Sequence, residues 1–285
     1  GIRHVCIEHL PNRQAHDRLY RTFLSSDAEL LIKVDADMVV VDERFVQRVV
    51  DMYLGDPDAG LIQMAILDYF SGGEIQGVNA YTRHMKWDPS AQDGLFTDTT
   101  GTPAERRRVV WSTFGRSVVH SPDPSPFQAF HFGVHRAVKA VAAARAGRQD
   151  RALEQLMYLE RCHVHHAIRR DPRLALACIG AELALREEVG PEHVDYTTGH
   201  LKSIAQPYLE LPTVMLQEEL CRRRAEPIAD PHLRALVGDR SELSKRARVA
   251  SIVLLLPHLK IFGGVNRFLE IARVRCGELH GSGEF

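Results

Sequence analysis

The spacing of hydrophobic and polar residues over the first part of the chain predicts strands alternating with helices. Residues 2–8 are rich in β-branched side chains and predict a short strand, and residues 12–24 place apolar side chains at helical spacing. The nearly continuous apolar run at residues 30–34 is typical of a strand buried on both faces. A second helix is predicted over residues 42–54, and a further strand over residues 60–70. This alternating order indicates a parallel sheet.

The rest of the chain predicts a hairpin and then a largely helical region. SGGE at residues 71–74 predicts a turn into a strand over residues 75–81, and the polar stretch at residues 87–108 predicts a long loop. Residues 109–119 predict another strand, and residues 127–188 are mostly helical. The predicted class is therefore α/β, with a mostly parallel central sheet, flanking helices and a helical C-terminal region.

Three segments follow from this pattern: a catalytic-type α/β core over residues 1–140, a mainly helical extension over 141–245, and the truncated start of a second Rossmann-like unit with a tail over 246–285. In the last segment, a strand at residues 252–256 leads through a glycine turn into a helix. This segment resembles the first strand, turn and helix of glycosyltransferases of the B fold.

Composition narrows the function classes. Of 285 residues, 36 are lysine or arginine and 37 are aspartate or glutamate, so no global field favours nucleic acid or an anionic membrane. The five cysteines are scattered and form no C-x-x-C pair, which fits a reducing compartment. No stretch approaches the length of about 18 apolar residues that a membrane helix needs, so we expect no transmembrane segment. The expected location is the cytoplasm, either free or at the inner face of a membrane.

Two aspartates, Asp35 and Asp37, follow the apolar run at residues 30–34. Paired carboxylates at the end of a buried strand are costly unless a cation compensates them. Mg²⁺ and Mn²⁺ take a few carboxylates and keep positions open for substrate phosphates. The pair therefore predicts a metal site, and the alternative is a solvated turn in which Asp37 or Asp42 caps the next helix.

Two segments resemble family 2 glycosyltransferases with the glycosyltransferase-A fold. Residues 31–38 (LIKVDADM) resemble the strand-plus-D-x-D element of that family, and residues 14–20 (QAHDRLY) resemble the segment before it. The resemblance covers about residues 1–140. It implies a nucleotide-diphospho-sugar transferase fold in which Asp35 and Asp37 hold Mn²⁺ or Mg²⁺ against the diphosphate of a nucleotide-sugar donor. The acceptor is then a saccharide or other hydroxyl compound, and the reaction is expected to invert the anomeric centre.

The same resemblance implies a histidine as third metal ligand and a carboxylate as general base. The best match is VVHSPD at residues 118–123, which makes His120 the expected ligand and Asp123 the expected base. Arg106 and Arg107, in the predicted loop, are candidates for binding the donor diphosphate, although a solvated charge run is the simpler interpretation. Gln63 and Asp68 are further candidates for sugar contacts.

Other histidines admit simpler interpretations. His131 and His135 lie four apart on a predicted helix, as an alternative ligand pair or as a packed pair. Cys162 and His166 align in the same way, but no fourth zinc ligand is visible in the sequence.

The first strand of the resembled fold is not recognisable before Gly1. We therefore expect an incomplete catalytic unit with weak transferase activity and open sheet edges that invite self-association. Two other functions stay open: a metal-dependent nucleotidyltransferase, and a non-catalytic helical scaffold or partner-binding module.

Overall fold

The computed structural model describes residues 1–85, 107–110, 117–186, 188–191, 194 and 199–238. Its strands are β1 (Leu30–Lys33), β2 (Met38–Val40), β3 (Leu61–Asp68), β4 (Gly73–Thr82), β5 (Arg107–Val110) and β6 (Val118–His120). Its helices are α1 (Asn12–Leu24), α2 (Phe45–Gly55), α3 (Pro126–Arg145), α4 (Gln149–Arg169), α5 (Pro172–Leu185), α6 (His200–Leu209), α7 (Thr213–Arg224) and α8 (Pro231–Val237). The predicted strand at residues 252–256 lies outside the described residues.

The α/β class is confirmed, but the prediction of a mostly parallel sheet is wrong. The sheet is mixed, with the order β1–β4–β3–β6–β2, and β5 pairs with the first half of β3 beside β6. β3 is parallel to β5 and β6, whereas β1–β4, β3–β4 and β2–β6 are antiparallel. The predicted hairpin explains the error: β4 folds back onto β3 and separates it from β1, so β1 meets an antiparallel neighbour.

Among the described strands, the apolar run at residues 30–34 consequently lies at an edge of the sheet. The four residues of β1 are half-buried instead of buried on both faces, whereas β3 carries the fully buried side chains Leu61, Ile62, Met64 and Ile66. The predicted strand at residues 2–8 is also wrong, since this segment forms no strand and Ile2 is 82% exposed. Self-association through the edge strands β1 and β2 stays a prediction.

Local sequence signals explain where three of the helices begin. Ser125 accepts a hydrogen bond from the Gln128 N–H while the Gln128 side chain accepts from the Ser125 N–H, and proline follows the cap. Asp171 and Asp230 cap α5 and α8 without the reciprocal bond, by accepting from the N–H of Arg173 and of Leu233, and each is followed by a proline. These caps depend only on neighbouring residues, and the predicted helical region is present as α3, α4 and α5.

The helices form a second layer with its own core. α3 and α5 approach so closely that a Cβ added at Gly133 would lie 1.7 Å from the carbonyl oxygen of Ala177. α3 runs without a break from Pro126 to Arg145, so the segment boundary expected at residue 140 falls inside a helix. Among the described helices, none has both the length and the apolar composition that a membrane crossing requires.

Candidate functional site

The ends of β3 and β6 and the start of β2 meet at one end of the sheet and bring three polar residues together. Asp68 and His120 are the last residues of β3 and β6, which are parallel and pair in the register Asp68–His120. β2 runs antiparallel to β6 and pairs Met38 with His120, so Asp37, immediately before β2, arrives at the same place. The strand directions therefore place Asp37, Asp68 and His120 side by side, although they are far apart in sequence.

The His120 imidazole lies between the two carboxylates. Its Nδ1 is 2.7 Å from Asp68 Oδ1, and its Nε2 is 3.2 Å from Asp37 Oδ2. The Asp68 side chain is fully buried and also accepts from the Ser71 N–H at 2.6 Å, whereas about a third of the Asp37 side chain is exposed. The row of three groups thus runs from the interior at Asp68 to the surface at Asp37.

Ser121 binds Asp37 from the other side. Its N–H donates to the Asp37 carbonyl oxygen at 2.7 Å, and its hydroxyl donates to Asp37 Oδ2 at 3.2 Å. Ser121 has φ of 47°, which is uncommon for a residue other than glycine. The two hydrogen bonds hold this conformation, and strained backbone of this kind clusters at functional sites.

Mutual interaction shifts the pKa values of all three groups. Burial lowers the pKa of His120, but hydrogen bonds to Asp37 and Asp68 and their charges outweigh it and raise the pKa to about 9. Burial raises the pKa of Asp37 and of Asp68, but the hydrogen bond to His120, the charge of His120 and a hydrogen bond from a neighbouring serine together outweigh it and hold the pKa of each carboxyl below the usual 3.8. Without a metal ion, the arrangement is two carboxylates on either side of one imidazolium.

The contact between His120 and Asp37 requires a proton or a metal ion between Nε2 and Oδ2. With Nδ1–H donating to Asp68, a neutral imidazole would turn its Nε2 lone pair towards Asp37 Oδ2, and two acceptors would face each other at 3.2 Å. A proton on Nε2 removes this repulsion. A metal ion that displaces the proton removes it equally well, since metal binding to histidine releases a proton.

The donor set fits a hard divalent ion in part. Two ligands of Mg²⁺ at its usual bond length of about 2.1 Å, at right angles, lie about 3 Å apart, which matches the 3.2 Å between His120 Nε2 and Asp37 Oδ2. Asp68 then acts as the carboxylate that orients a ligating histidine. Among the described residues, no group of three or more His, Cys, Asp or Glu forms a ready metal cluster. Asp37 and His120 alone would leave most coordination positions of such an ion to ligands from outside the row.

Asp35, expected beside Asp37, points elsewhere in this structure. Its Oδ1 is 2.6 Å from Lys33 Nζ, and 43% of its side chain is exposed. The aspartates flank a tight turn between β1 and β2, in which the Met38 N–H donates to the Asp35 carbonyl oxygen. The structure therefore joins His120 to Asp37 but does not bring Asp35 into the same row.

Asp123 lies on the loop that follows His120 and is 91% exposed. Its Oδ1 accepts from Arg173 Nη1 at 2.5 Å, and Arg173 also pairs with Asp171. The Arg173 guanidinium lies 5.1 Å from the ring of Tyr69, the residue after Asp68. Asp123 is thus held near the end of β3 by the first turn of α5, and its role as base stays a prediction.

The structure describes only part of the arginine run that is expected to bind diphosphate. Arg106 and the side chain of Arg107 lie outside the described residues, and the backbone of Arg107 begins β5. Arg108 Nη1 is 3.9 Å from Asp56 Oδ2, near the opposite end of the sheet from His120. A diphosphate role for Arg106 and Arg107 stays a prediction.

The histidines of the two helical pairs, His131 with His135 and Cys162 with His166, pack against neighbouring groups. His131 Nε2 is 2.7 Å from the Val194 carbonyl oxygen, and its ring is 5.7 Å from that of His135. His166 Nε2 is 2.7 Å from Gln217 Oε1, and Cys162 lies 3.7 Å from Cys178 within the helical core. These contacts favour the packed interpretation of both pairs.

Asp68 is the residue whose place in the row the sequence did not reveal. It was a candidate for sugar contact, whereas in the structure it is fully buried and holds His120. A charged residue at the end of an otherwise apolar strand was the available signal, because buried carboxylates need a partner.

No family model, no curated protein and no solved structure matches this chain. Its function must therefore be argued from the row Asp37–His120–Asp68 and the residues around it.

Proposed function

We propose that this protein is a metal-dependent transferase that moves a sugar from a nucleotide-sugar donor to an acceptor hydroxyl. The observation that carries the proposal is the contact between Asp37 and His120, the second aspartate of the D-x-D element and the histidine expected as its partner. The proposal also rests on the resemblance of residues 31–38 to family 2 glycosyltransferases. A diphosphate leaving group needs a cation, and this pair can hold one.

Each residue of the site has a distinct role in this scheme. Asp37 and His120 hold Mn²⁺ or Mg²⁺, and Asp68 keeps the His120 ring in orientation through Nδ1. Ser121 fixes the Asp37 carboxylate by its hydroxyl and its N–H. The metal, when bound, neutralises charge that develops on the departing diphosphate. Asp35 joins the metal in this scheme only if it leaves Lys33.

Asp123 serves as the general base. The acceptor oxygen forms a bond to the anomeric carbon, the bond from that carbon to the diphosphate oxygen breaks, and the acceptor proton passes to the Asp123 carboxylate. Arg173 binds Asp123 Oδ1 and thereby orients the carboxylate. A single displacement of this kind inverts the anomeric centre.

Calorimetric titration tests the metal assignment. We expect the wild-type chain to bind a nucleoside diphosphate together with Mn²⁺, and Asp37→Ala to lose this affinity while it still unfolds in one cooperative thermal transition, with a lower midpoint because the row loses a carboxylate. Asp58→Ala is the matched control, since Asp58 is an exposed aspartate away from the row. Equal affinity of Asp37→Ala and the wild type would remove the metal site from Asp37.

A panel of nucleotide sugars then identifies the reaction. Metal-dependent release of nucleoside diphosphate from one donor supports glycosyl transfer. Release or exchange of pyrophosphate from a nucleoside triphosphate would instead support the nucleotidyltransferase alternative. If neither occurs and no nucleotide binds, the non-catalytic module becomes the better description.

A further inference from the structure

The end of β1 carries a lysine that neutralises one of the two aspartates of the D-x-D element. Lys33 is the last residue of β1, and its Nζ lies 2.6 Å from Asp35 Oδ1. The Lys33 side chain is 10% exposed, whereas that of Asp35 is 43% exposed. A largely buried ammonium group requires negative charge close by. Asp35 supplies such a charge from its position two residues further along the chain.

The same carboxylate belongs to the turn that carries Asp37. Asp35 and Asp37 occupy the first and third positions of this turn, which the Met38 N–H closes by donating to the Asp35 carbonyl oxygen at 3.0 Å. An aspartate at the first position of a turn can direct its carboxylate towards the backbone of the residue two positions later, which here is Asp37. A change of the Asp35 side-chain rotamer is therefore enough to turn its carboxylate from Lys33 towards Asp37.

Both aspartates are open to solvent. About a third of the Asp37 side chain is exposed and Asp35 is exposed still further, so an ion can reach either carboxylate without opening the fold. Carboxylate oxygens are ligands that Mg²⁺ and Mn²⁺ prefer. A rotated Asp35 would add a third side chain to the two, Asp37 and His120, that can hold the ion in the present arrangement.

We propose that Lys33 is a built-in competitor of the metal ion: its ammonium group holds Asp35 in the metal-free chain, and the arriving ion must displace it. This inference rests on the proposed metal site of the transferase and concerns how that site is regulated. The tethered ammonium group and the divalent ion are alternative cations for one carboxylate, so they exclude each other at Asp35.

The competition has a consequence for the order of binding. Metal binding by the wild-type chain is weakened by the free energy needed to part Lys33 from Asp35. The diphosphate of a donor adds ligands to the ion, so donor and metal together overcome the competition more readily than the metal alone. The metal site therefore fills together with the substrate.

Titration of the full chain with Mn²⁺ alone, followed by the electron paramagnetic resonance signal of the free ion, tests the proposal. Lys33→Gln removes the competing charge and keeps a polar side chain. We expect this variant to bind Mn²⁺ about fivefold more tightly than the wild type, since no ion pair has to be broken. Lys202→Gln, which removes the same charge from an exposed position on α6, should change the affinity less than about twofold.

A second substitution separates competition from the simple loss of a nearby positive charge. Loss of the Lys33 charge favours a cation at Asp37 whether or not Asp35 takes part, whereas competition requires the Asp35 carboxylate. In an Asp35→Asn background, Lys33→Gln should therefore raise the Mn²⁺ affinity less than about twofold. An equal rise in both backgrounds would overturn the proposal, because the effect would then be one of charge alone.

The wild-type chain offers a test that needs no substitution at Lys33. Saturation with Mg²⁺, which is diamagnetic, should shift the NMR signals of Lys33 Nζ and of the Asp35 carboxyl carbon, because the two groups part when the ion binds. Unchanged signals at a Mg²⁺ concentration that shifts those of His120 would contradict the displacement of Lys33, even if Lys33→Gln fails to fold.

Asp37→Ala distinguishes failure of this inference from failure of the proposed metal site. If Asp37→Ala loses Mn²⁺ binding while Lys33→Gln binds like the wild type, the metal site stands and the competition is absent. If Asp37→Ala and the wild type bind Mn²⁺ equally, or if none of the chains binds it, the metal site is wrong and the inference falls with it.

Discussion

Two buried carboxylate–histidine pairs, one in each layer of the molecule, show how the same chemistry serves different ends. In the sheet, Asp68 holds His120, whose other nitrogen faces the partly exposed Asp37. In the helical layer, Glu182 lies 3.2 Å from His163 Nε2. The first pair ends at the surface and the second is enclosed.

The enclosed pair is surrounded by compensating charge. Glu182 also lies 3.6 Å from Arg186 and 3.9 Å from Arg224, and Arg224 pairs with the buried Glu160 at 2.5 Å. The cations that balance Glu182 belong to the protein and come from the helices around it. In the sheet, by contrast, two carboxylates share one imidazole, and a proton on that imidazole leaves one negative charge unmatched within the row, although Arg161 also acts on Asp68 by its charge. The row therefore differs from the enclosed pair in having room in its charge balance for a bound cation.

The largest effect on stability is expected for Glu182→Gln. Removal of this buried carboxylate leaves His163 without its carboxylate partner and takes one of the partners of Arg186 and of Arg224, which should lower the free energy of unfolding by about 3–5 kcal/mol. Urea denaturation measures the change. Glu226→Gln, which removes an exposed carboxylate paired with Arg186, should cost less than about 1 kcal/mol. Similar small losses in both variants would mean that the enclosed pair is not structural.

The pH dependence of stability should come next in size and belongs to the sheet pair. Since the folded pKa of His120 is raised to about 9, its contribution is fully present below 6.5 and is lost as pH rises through 9. The full contribution is about 3 kcal/mol. Denaturation of the metal-free chain between pH 6 and 10 measures it, and His120→Gln should flatten the curve by this amount. Parallel curves for wild type and variant would refute the charged row.

Acid should weaken the same row from the other side. The lowered pKa values of Asp37 and Asp68 mean that their contribution is present above 3.8 and is lost as pH falls through the folded values.

Asp68→Asn tests whether the buried carboxylate serves function as well as stability. The change keeps the shape but weakens the hold on His120 Nδ1, so stability should fall by about 1–3 kcal/mol. Affinity for Mn²⁺ with nucleoside diphosphate should fall about 10–100-fold. Calorimetry measures the affinity and the stability, and the ring-nitrogen NMR shifts of His120 report the weaker hold on Nδ1. An Asp68→Asn chain that loses stability alone, with unchanged affinity and ring signals, would assign Asp68 a purely structural role.

The smallest effect on stability is expected for Asp123→Asn. Asp123 is 91% exposed, so loss of its pair with Arg173 should cost less than about 1 kcal/mol. If Asp123 is the base, turnover should fall about 10²–10⁴-fold with little change in KM for the donor. Steady-state kinetics on the donor found in the panel decides this, and near-normal turnover would exclude Asp123 as base.

Features set by neighbouring residues could be predicted from the chain. A turn is present between β3 and β4, at residues 69–72 and so two residues earlier than predicted, and the helices over residues 127–188 begin at local caps such as Ser125. His120 was expected near Asp37 through a family resemblance, and the structure places the two together. The role of Asp68 and the pairing of Asp35 with Lys33 could not be foreseen, because each depends on which side chains the strands bring into contact.

The sequence alone determined the local elements: the helix caps, the turn after β3, and the separation of an α/β part from a helical part. Tertiary structure decided how the strands pair. The apolar run at residues 30–34 carries no information about its neighbour, so an edge position beside β4 and a buried parallel position were both compatible with it. The row Asp37–His120–Asp68 exists because β3 and β6 end, and β2 begins, at the same end of the sheet. That depends on long-range hydrogen bonds between backbones, which no short stretch of sequence encodes.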